Sequence, residues 1–210
     1  MKLNNLLHVS PMLVLRENVA IVGASANLLG TNFGELIDSY DEVIRFNRSP
    51  TDGYENDVGS KTTLRVVNNH VFNNVDISSE GYTNSPQHFV RNLRDSNILY
   101  VGPDNGPWNN RNQNAHHSNN LFIFDYSKVN LLKNKYGYES KKNPQIGTIL
   151  TLLGVTSDLK ITLFGFDLTP SPRTHYYEER PATVGSCHDL SQDQNVIISL
   201  KKNNLIDVKK

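Results

Sequence analysis

A short apolar run near the start of the chain, Asn18-Val19-Ala20-Ile21-Val22-Gly23, decides the fold. Its β-branched residues favour a strand, and its lack of polar alternation is typical of a strand buried on both faces of a parallel sheet. A turn of small residues, Ala24-Ser25-Ala26-Asn27, follows directly. In an open parallel sheet, ligands bind beyond the carboxyl ends of the strands. The turn is therefore the first place to look for a functional site.

Strand and helix patterns alternate along the rest of the chain. Apolar runs predict strands at Glu42–Asn47, Leu64–Val67, Asn97–Val101, Leu121–Phe124 and Lys160–Gly165. Helical patterns predict a short helix within Phe33–Tyr40 and longer ones at Ser127–Tyr136, Ile146–Val155 and Gln192–Lys202. This alternation predicts an α/β fold, a single Rossmann-like domain over residues 1–210 with a mostly parallel sheet flanked by helices. Lys209 and Lys210 are expected to form a solvated tail.

Composition limits the classes of function. The 210 residues suffice for one domain, and 21 Lys and Arg balance 21 Asp and Glu, so nucleic acid is not an expected partner. No signal-peptide pattern and no run of about 18 apolar residues is present, so we expect no membrane segment and a cytoplasmic location, or the Golgi lumen if an N-terminal anchor was removed. The single cysteine, Cys187, excludes an internal disulfide. Without His-x-His, His-Glu-x-x-His or Asp-x-Asp spacings, we expect no metal site and no cofactor.

The turn after the first strand has several interpretations. As a dinucleotide fingerprint it keeps only Gly23 of three glycines, and the second strand ends in Asn47 where an acidic residue is needed. As a nucleophile elbow around Ser25 it lacks the final glycine, and it follows the first strand, whereas the elbow of an α/β-hydrolase follows several strands of the sheet. Ser25 and Asn27, assisted by Asn47, could instead bind a nucleotide. A plain Ser or Asx turn fits equally well.

The turn also opens a longer pattern. Three successive segments closely resemble the large sialyl motif of the eukaryotic-type sialyltransferases: Val19–Leu28, Gly34–Thr51 and Gly53–Thr63. They include Ile44-Arg45-Phe46-Asn47 and Asp57-Val58-Gly59-Ser60-Lys61-Thr62-Thr63. Asn143–Thr148 with Ile161–Phe166 resembles the small motif, His175-Tyr176-Tyr177-Glu178 the third, and His188–Asp193 the very small motif. The resemblance covers residues from about 18 to 200 and implies a short, divergent member of that family, with its GT-A-like variant of the Rossmann fold.

The resemblance implies an activity. The chain would be an inverting, metal-independent glycosyltransferase that moves sialic acid from its CMP ester to a hydroxyl of a glycan acceptor. By resemblance, His188 would be the general base and His175 would hydrogen-bond the phosphate. Histidine suits both roles, because its reference pKa of roughly 6.5 lets it accept or donate a proton near neutral pH.

The resemblance also implies a nucleotide site. Side chains of Ser25, Asn27 and Asn47 would contact ribose, phosphate or base. The backbone at Gly147 and Thr148 would receive CMP at a helix N-terminus, where unpaired N–H groups favour anions, with Tyr176 beside it.

Departures from the family pattern keep other functions open. Ala24 and Ala26 replace an asparagine and a glycine, Gln145-Ile146 replaces a Ser-Thr pair, and Asp193 stands where glutamate is usual. The cysteines of the family disulfide are also missing. These changes leave open CMP-Kdo as the donor. They also leave open a second hypothesis, a CMP-binding module without turnover. A serine hydrolase with Ser25 as nucleophile is the third.

Two further expectations concern residues outside these assignments. Trp108, in the Asn-rich stretch Gly102–Asn120, is expected to form a sugar platform on the acceptor side, because long loops in compact domains often bind ligands. Arg45 is expected to pair with Asp41 or Asp57 rather than with substrate.

Overall fold

A single parallel sheet organises the molecule. The computed structural model describes Leu13 and residues 15–68, 97–102, 121–168, 175–177 and 188–209. Within them, the strands are Asn18–Val22 (β1), Glu42–Phe46 (β2), Leu64–Asn68 (β3), Asn97–Gly102 (β4), Leu121–Asp125 (β5), Lys160–Phe164 (β6) and Asp207–Lys209 (β7). Every neighbouring pair is parallel. The predicted α/β fold with a mostly parallel sheet is confirmed.

The strand order fixes where a ligand can bind. The order is β5-β4-β3-β2-β1-β6-β7, so β1 pairs with β2 on one side and with β6 on the other. The chain builds outward from β1 to β5 and then returns to place β6 and β7 on the opposite side. The carboxyl ends of β1 and β6 therefore form the topological switch point, where open α/β sheets bind ligands.

Helices cover both faces of the sheet. They are Gly34–Asp38 (α1), Glu55–Val58 (α2), Val129–Tyr136 (α3), Ile146–Thr156 (α4) and Leu190–Lys202 (α5), with short 3₁₀ turns at Ala26–Leu28 and Tyr126–Lys128. Val19 and Ile21 of β1 pack in one apolar cluster with α3, α4 and α5. Ala20 and Val22 pack on the other face with α1 and α2. Burial on both faces explains why β1 shows no polar alternation.

Most predicted elements are confirmed, and two short ones were missed. The six predicted strands and the longer helices lie within a few residues of their predicted bounds. Sequence patterns did not indicate α2 or β7, which have four and three residues, too few for a periodic signal. The expected solvated tail is wrong at Lys209, which lies in β7 beside the buried Val208. Among the described residues, no helix is long and apolar enough to cross a membrane.

Candidate functional site

The turn after β1 is tied to the turn after β6 by one carboxylate. Ser25 caps the 3₁₀ turn, since its Oγ accepts a hydrogen bond from the backbone N–H of Asn27 at 3.1 Å. The same Oγ donates to Oδ1 of Asp167 at 2.5 Å, and Nδ2 of Asn27 donates to that oxygen at 2.6 Å. We call Ser25, Asn27 and Asp167 the switch-point cluster. The structure thus brings together two predicted site residues and adds a third.

Sequence reasoning missed Asp167. The available signal was an acidic residue just beyond Gly165-Phe166, at the carboxyl end of a predicted strand. Burial raises the pKa of the Asp167 carboxyl, although the hydrogen bonds from Ser25 and Asn27 act in the opposite direction.

Glycine allows the two turns to approach each other. The N–H of Gly23 donates to the carbonyl of Phe164 at 2.7 Å. A Cβ atom on Gly23 would lie 2.3 Å from the carbonyl oxygen of Gly165, closer than any real contact. A side chain at residue 23 would therefore push apart the two turns that bring Ser25 to Asp167.

Residues 175–177 lie against the same turn. The N–H of Tyr176 donates to the carbonyl of Ala24 at 2.8 Å. The imidazole of His175 stacks on the ring of Tyr177, with 5.2 Å between centroids and 3° between planes. The hydroxyl of Tyr176 donates to the carbonyl of Pro50, and burial raises its pKa to about 12. His175 thus lies near the turn, while the hydroxyl of Tyr176 is bound within the core; its contact with a nucleotide stays a prediction.

Two arginines are buried beneath this segment. Arg45 and Arg65 are register partners on β2 and β3, and at most 1% of either is exposed. Arg45 donates to main-chain carbonyls at the end of α2 and just beyond it, so the predicted pairing with Asp41 or Asp57 is wrong. Arg65 donates to the carbonyl of Asn47 at 3.0 Å, and burial lowers its pKa to about 10. Arg65 therefore anchors the chain where it leaves β2, and Arg45 anchors the end of α2.

Asn47 lies at the carboxyl end of β2, one strand away from Ser25. Its backbone has φ of 45°, in the left-handed region that asparagine tolerates better than most residues. Its Oδ1 accepts a hydrogen bond from the N–H of Asn68 at 3.1 Å. Nδ2 is the group that could still donate to a ligand, so the predicted contact with a nucleotide would be a hydrogen bond from Nδ2.

A second group of polar side chains surrounds the start of α4. Asp193 of α5 is only 4% exposed, and its Oδ1 accepts from the N–H of Gln145 at 3.1 Å. Burial raises its pKa to about 6, opposed by hydrogen bonds from the Thr148 side chain and Gln145 and by the nearby His188. We call Gln145, Thr148, His188 and Asp193 the helix-start cluster. It places the predicted base beside the predicted anion site.

The orientation of His188 follows from its partner. Its Nδ1 lies 3.0 Å from the carbonyl oxygen of Asn143. Because a carbonyl can only accept, Nδ1 carries the proton, and in the neutral ring Nε2 holds the lone pair. Asp189, the next residue, caps the start of α5 by accepting from the N–H of Gln192 at 3.3 Å. The cap fixes the start of α5, two residues after His188.

Phe166 joins the two clusters. A Cβ on Gly147 would lie 3.1 Å from its ring, so the small residue at the start of α4 makes room for it. The ring also meets Phe46 edge to face, with centroids 6.4 Å apart. A cleft of about 250 Å³ opens beside it, lined by Asn27, Leu28, Phe33, Gly165, Phe166, Leu168 and Lys209. Both clusters thus lie at the carboxyl edge of the sheet.

Some predictions fall elsewhere. Trp108 and most of its loop lie outside the described residues, so the acceptor platform stays a prediction. The described residues contain no group of three or more His, Cys, Asp or Glu placed to hold a metal ion. Metal independence stays a prediction.

Sequence comparisons identify a family. A family model described as glycosyltransferase family 29 (sialyltransferase) matches residues 14–205. Beta-galactoside alpha-2,6-sialyltransferase 2 of Gallus gallus is 34% identical over 125 residues, which cover 60% of this chain and 20% of the relative. The protein of the same name from Takifugu rubripes is 28% identical over 205 residues, which cover 86% and 37%. The chain therefore spans well under half the length of these relatives.

Solved structures share the fold. A crystal structure of a mammalian sialyltransferase matches with a TM-score of 0.65 and 21% identity, over 91% of this chain and 68% of that one. A sialyltransferase from Campylobacter jejuni, solved with cytidine-5'-monophosphate, matches with a TM-score of 0.53 and 15% identity, over 90% and 77%. At these identities the likeness establishes the arrangement of strands and helices.

Proposed function

Because the chain belongs to glycosyltransferase family 29, the sialyltransferase family, we propose that it moves sialic acid from its CMP ester to a hydroxyl of a glycan. The observation that carries this proposal is the hydrogen bond between Nδ1 of His188 and the carbonyl of Asn143. It supports a base at residue 188, because it leaves the lone pair on Nε2. The base would act at the edge of the sheet where a nucleotide is expected.

In the proposed reaction, Nε2 of His188 takes the proton of the acceptor hydroxyl. The acceptor oxygen attacks the anomeric carbon of sialic acid, and the bond from that carbon to the phosphate oxygen of CMP breaks. A single displacement of this kind inverts the anomeric configuration. The electron pair of the broken bond leaves with CMP, whose phosphate gains negative charge.

Donors from the protein stabilise that leaving phosphate in the proposal. His175 and the backbone N–H groups of Gly147 and Thr148 at the start of α4 are the candidates. The hydrogen bond from Tyr176 to Ala24 supports this role for His175, because it holds residues 175–177 against the turn after β1. CMP carries a single phosphate, so we propose that the reaction needs no metal ion.

The donor sugar and the compartment are also proposals. The complex of the Campylobacter jejuni neighbour with cytidine-5'-monophosphate supports a CMP site, to which Ser25, Asn27 and Asn47 would contribute. CMP-Kdo is the alternative donor, since its sugar presents the same anomeric carboxylate. The single cysteine supports a reducing compartment such as the cytoplasm.

A ligand screen followed by one variant tests the proposal. CMP, CMP-sialic acid, CMP-Kdo, UDP and NAD are compared by thermal shift, and transfer to a galactose-terminated glycan is measured with EDTA present. We expect the cytidine compounds to raise the unfolding temperature and transfer to proceed. A preference for UDP or NAD would contradict the proposal. Binding of CMP without product from any acceptor would favour the module without turnover.

His188→Ala should separate chemistry from binding. Loss of a general base lowers turnover by about 10²- to 10⁴-fold, while CMP affinity should change little. His8→Ala, which alters a histidine outside every motif, is the matched control and should retain full transfer. If His188→Ala folds and still transfers sugar at the normal rate, His188 is not the base.

A further inference from the structure

The carboxyl group of Asp167 occupies the centre of the switch-point cluster. It lies three residues beyond the end of β6, and its Oδ1 accepts from both Ser25 and Asn27. These two donors come from the turn after β1, whose side chains were expected to reach a nucleotide. In this structure they are directed at a carboxylate instead.

No cation balances this carboxylate within the described residues. Asp167 is half-buried, and its side-chain partners, Ser25 and Asn27, are neutral. A partly buried carboxylate without a cationic partner costs stability, so its place at a switch point favours a functional role over a structural one.

The second oxygen of the carboxyl group is held ready to accept. Among the described residues, Oδ1 takes both hydrogen bonds and Oδ2 takes none. The main chain is fixed as well, because the carbonyl of Asp167 accepts from Nε2 of Gln194 at 3.2 Å. Contacts from the turn after β1 and from α5 therefore set the direction of Oδ2 before any ligand arrives.

The ribose of a nucleotide matches this acceptor. Its 2'- and 3'-hydroxyls are adjacent, uncharged O–H donors, whereas a phosphate would be repelled by the carboxylate. In dinucleotide-binding sheets, an acidic residue near a strand end binds the same diol. We propose that Asp167 binds the ribose diol of the donor nucleotide through Oδ2, and that Ser25 and Asn27 position it. This inference rests on the proposed function, because it takes CMP as the nucleotide.

Calorimetry with CMP, 2',3'-dideoxy-CMP and UMP tests the inference on the full chain. The wild-type protein should bind CMP about tenfold or more tightly than the dideoxy compound, as expected for a hydrogen bond to a charged group. Asp167→Asn keeps an oxygen for Ser25 and Asn27 and replaces Oδ2 with an amide nitrogen. It should reduce the preference to about twofold and leave dideoxy-CMP affinity unchanged.

A control and the UMP measurement distinguish other roles of Asp167. Asp57→Asn removes a carboxylate that accepts from the N–H groups of Gly30 and Asn32 in the next turn, and it should keep the preference for CMP over dideoxy-CMP. If Asp167→Asn weakens CMP and dideoxy-CMP equally, the residue is merely structural. If it weakens CMP but not UMP, it contacts the cytosine amine. Either result overturns the inference.

The inference and the proposed function fail in different ways. If the wild-type chain does not bind CMP, both are wrong. If it binds CMP and Asp167→Asn retains the full preference for the diol, only the role of Asp167 is wrong. Thermal unfolding of each variant confirms that the protein compared is folded.

Discussion

At the residue scale, Asp193 couples the site to the stability of the fold. Burial raises the pKa of its carboxyl to about 6, compared with about 3.9 in an unfolded chain. The folded protein therefore keeps a proton that the unfolded chain has already lost between these pH values. In that interval the unfolded state binds fewer protons, so the free energy of unfolding falls as the pH rises.

Asp193→Asn should remove this pH dependence. The free energy of unfolding of the wild type, minus that of the variant, should fall by about 2 kcal/mol between pH 4 and pH 7. Urea unfolding at a series of pH values measures the difference. A difference that rises with pH would mean that attraction to His188 outweighs burial.

Asp189→Asn is the matched control on the same helix. A hydrogen bond from Ser191 is the largest cause that holds the pKa of Asp189 below its usual value. Its stabilising effect is therefore present above the unfolded-state pKa and is lost as the pH falls through the folded-state pKa. The pH trends of the two variants should have opposite signs.

At the element scale, the junction of β1 and β6 has no room for a side chain. Gly23→Ala would push a methyl group against the carbonyl of Gly165, and main chain cannot yield as a flexible side chain does. We expect a loss of about 3 kcal/mol in the free energy of unfolding, the upper end of the usual cost of overpacking. CMP affinity should fall as well, because Ser25 and Asn27 follow the glycine.

Gly30→Ala separates the steric clash at residue 23 from the cost of replacing any glycine with alanine. Gly30 has φ of 78°, and beyond its chain neighbours no described residue has an atom within 4 Å of the place that a Cβ would occupy, so alanine there costs about 1 kcal/mol for its backbone conformation alone. Its CMP affinity should match that of the wild type. Normal CMP affinity in Gly23→Ala would show that the spacing of the two turns does not control binding.

The elements also show how far the sequence could predict the structure. β1 was predictable because burial on both faces leaves a continuous apolar run. β7 was not, because it has a single buried residue, Val208, between Asp207 and Lys209. Ser25 and His188 stood out through motifs that span several residues. Asp167 did not stand out, because Ser25, which donates a hydrogen bond to it, is 142 residues away in the chain.

At the scale of the whole molecule, the sheet should be most stable at its centre. Val19–Val22 of β1 are at most 1% exposed and lie between two strands, whereas β7 has three residues and, among the described strands, pairs with β6 alone. Amide hydrogens of β1 should exchange slowest, and those of β7 at least about tenfold faster. Hydrogen exchange followed by mass spectrometry measures this. Equal protection of β7 would contradict the expected gradient.

The contact between Ser25 and Asp167 also sets the timing of site formation. β6, the second neighbour of β1, is made about 140 residues after it. Closing so long a loop is entropically costly, and parallel sheets with such distant pairings fold slowly. On the ribosome, the cluster cannot form until residue 167 has emerged. Nucleotide binding would then report the pairing of β1 with β6 during folding.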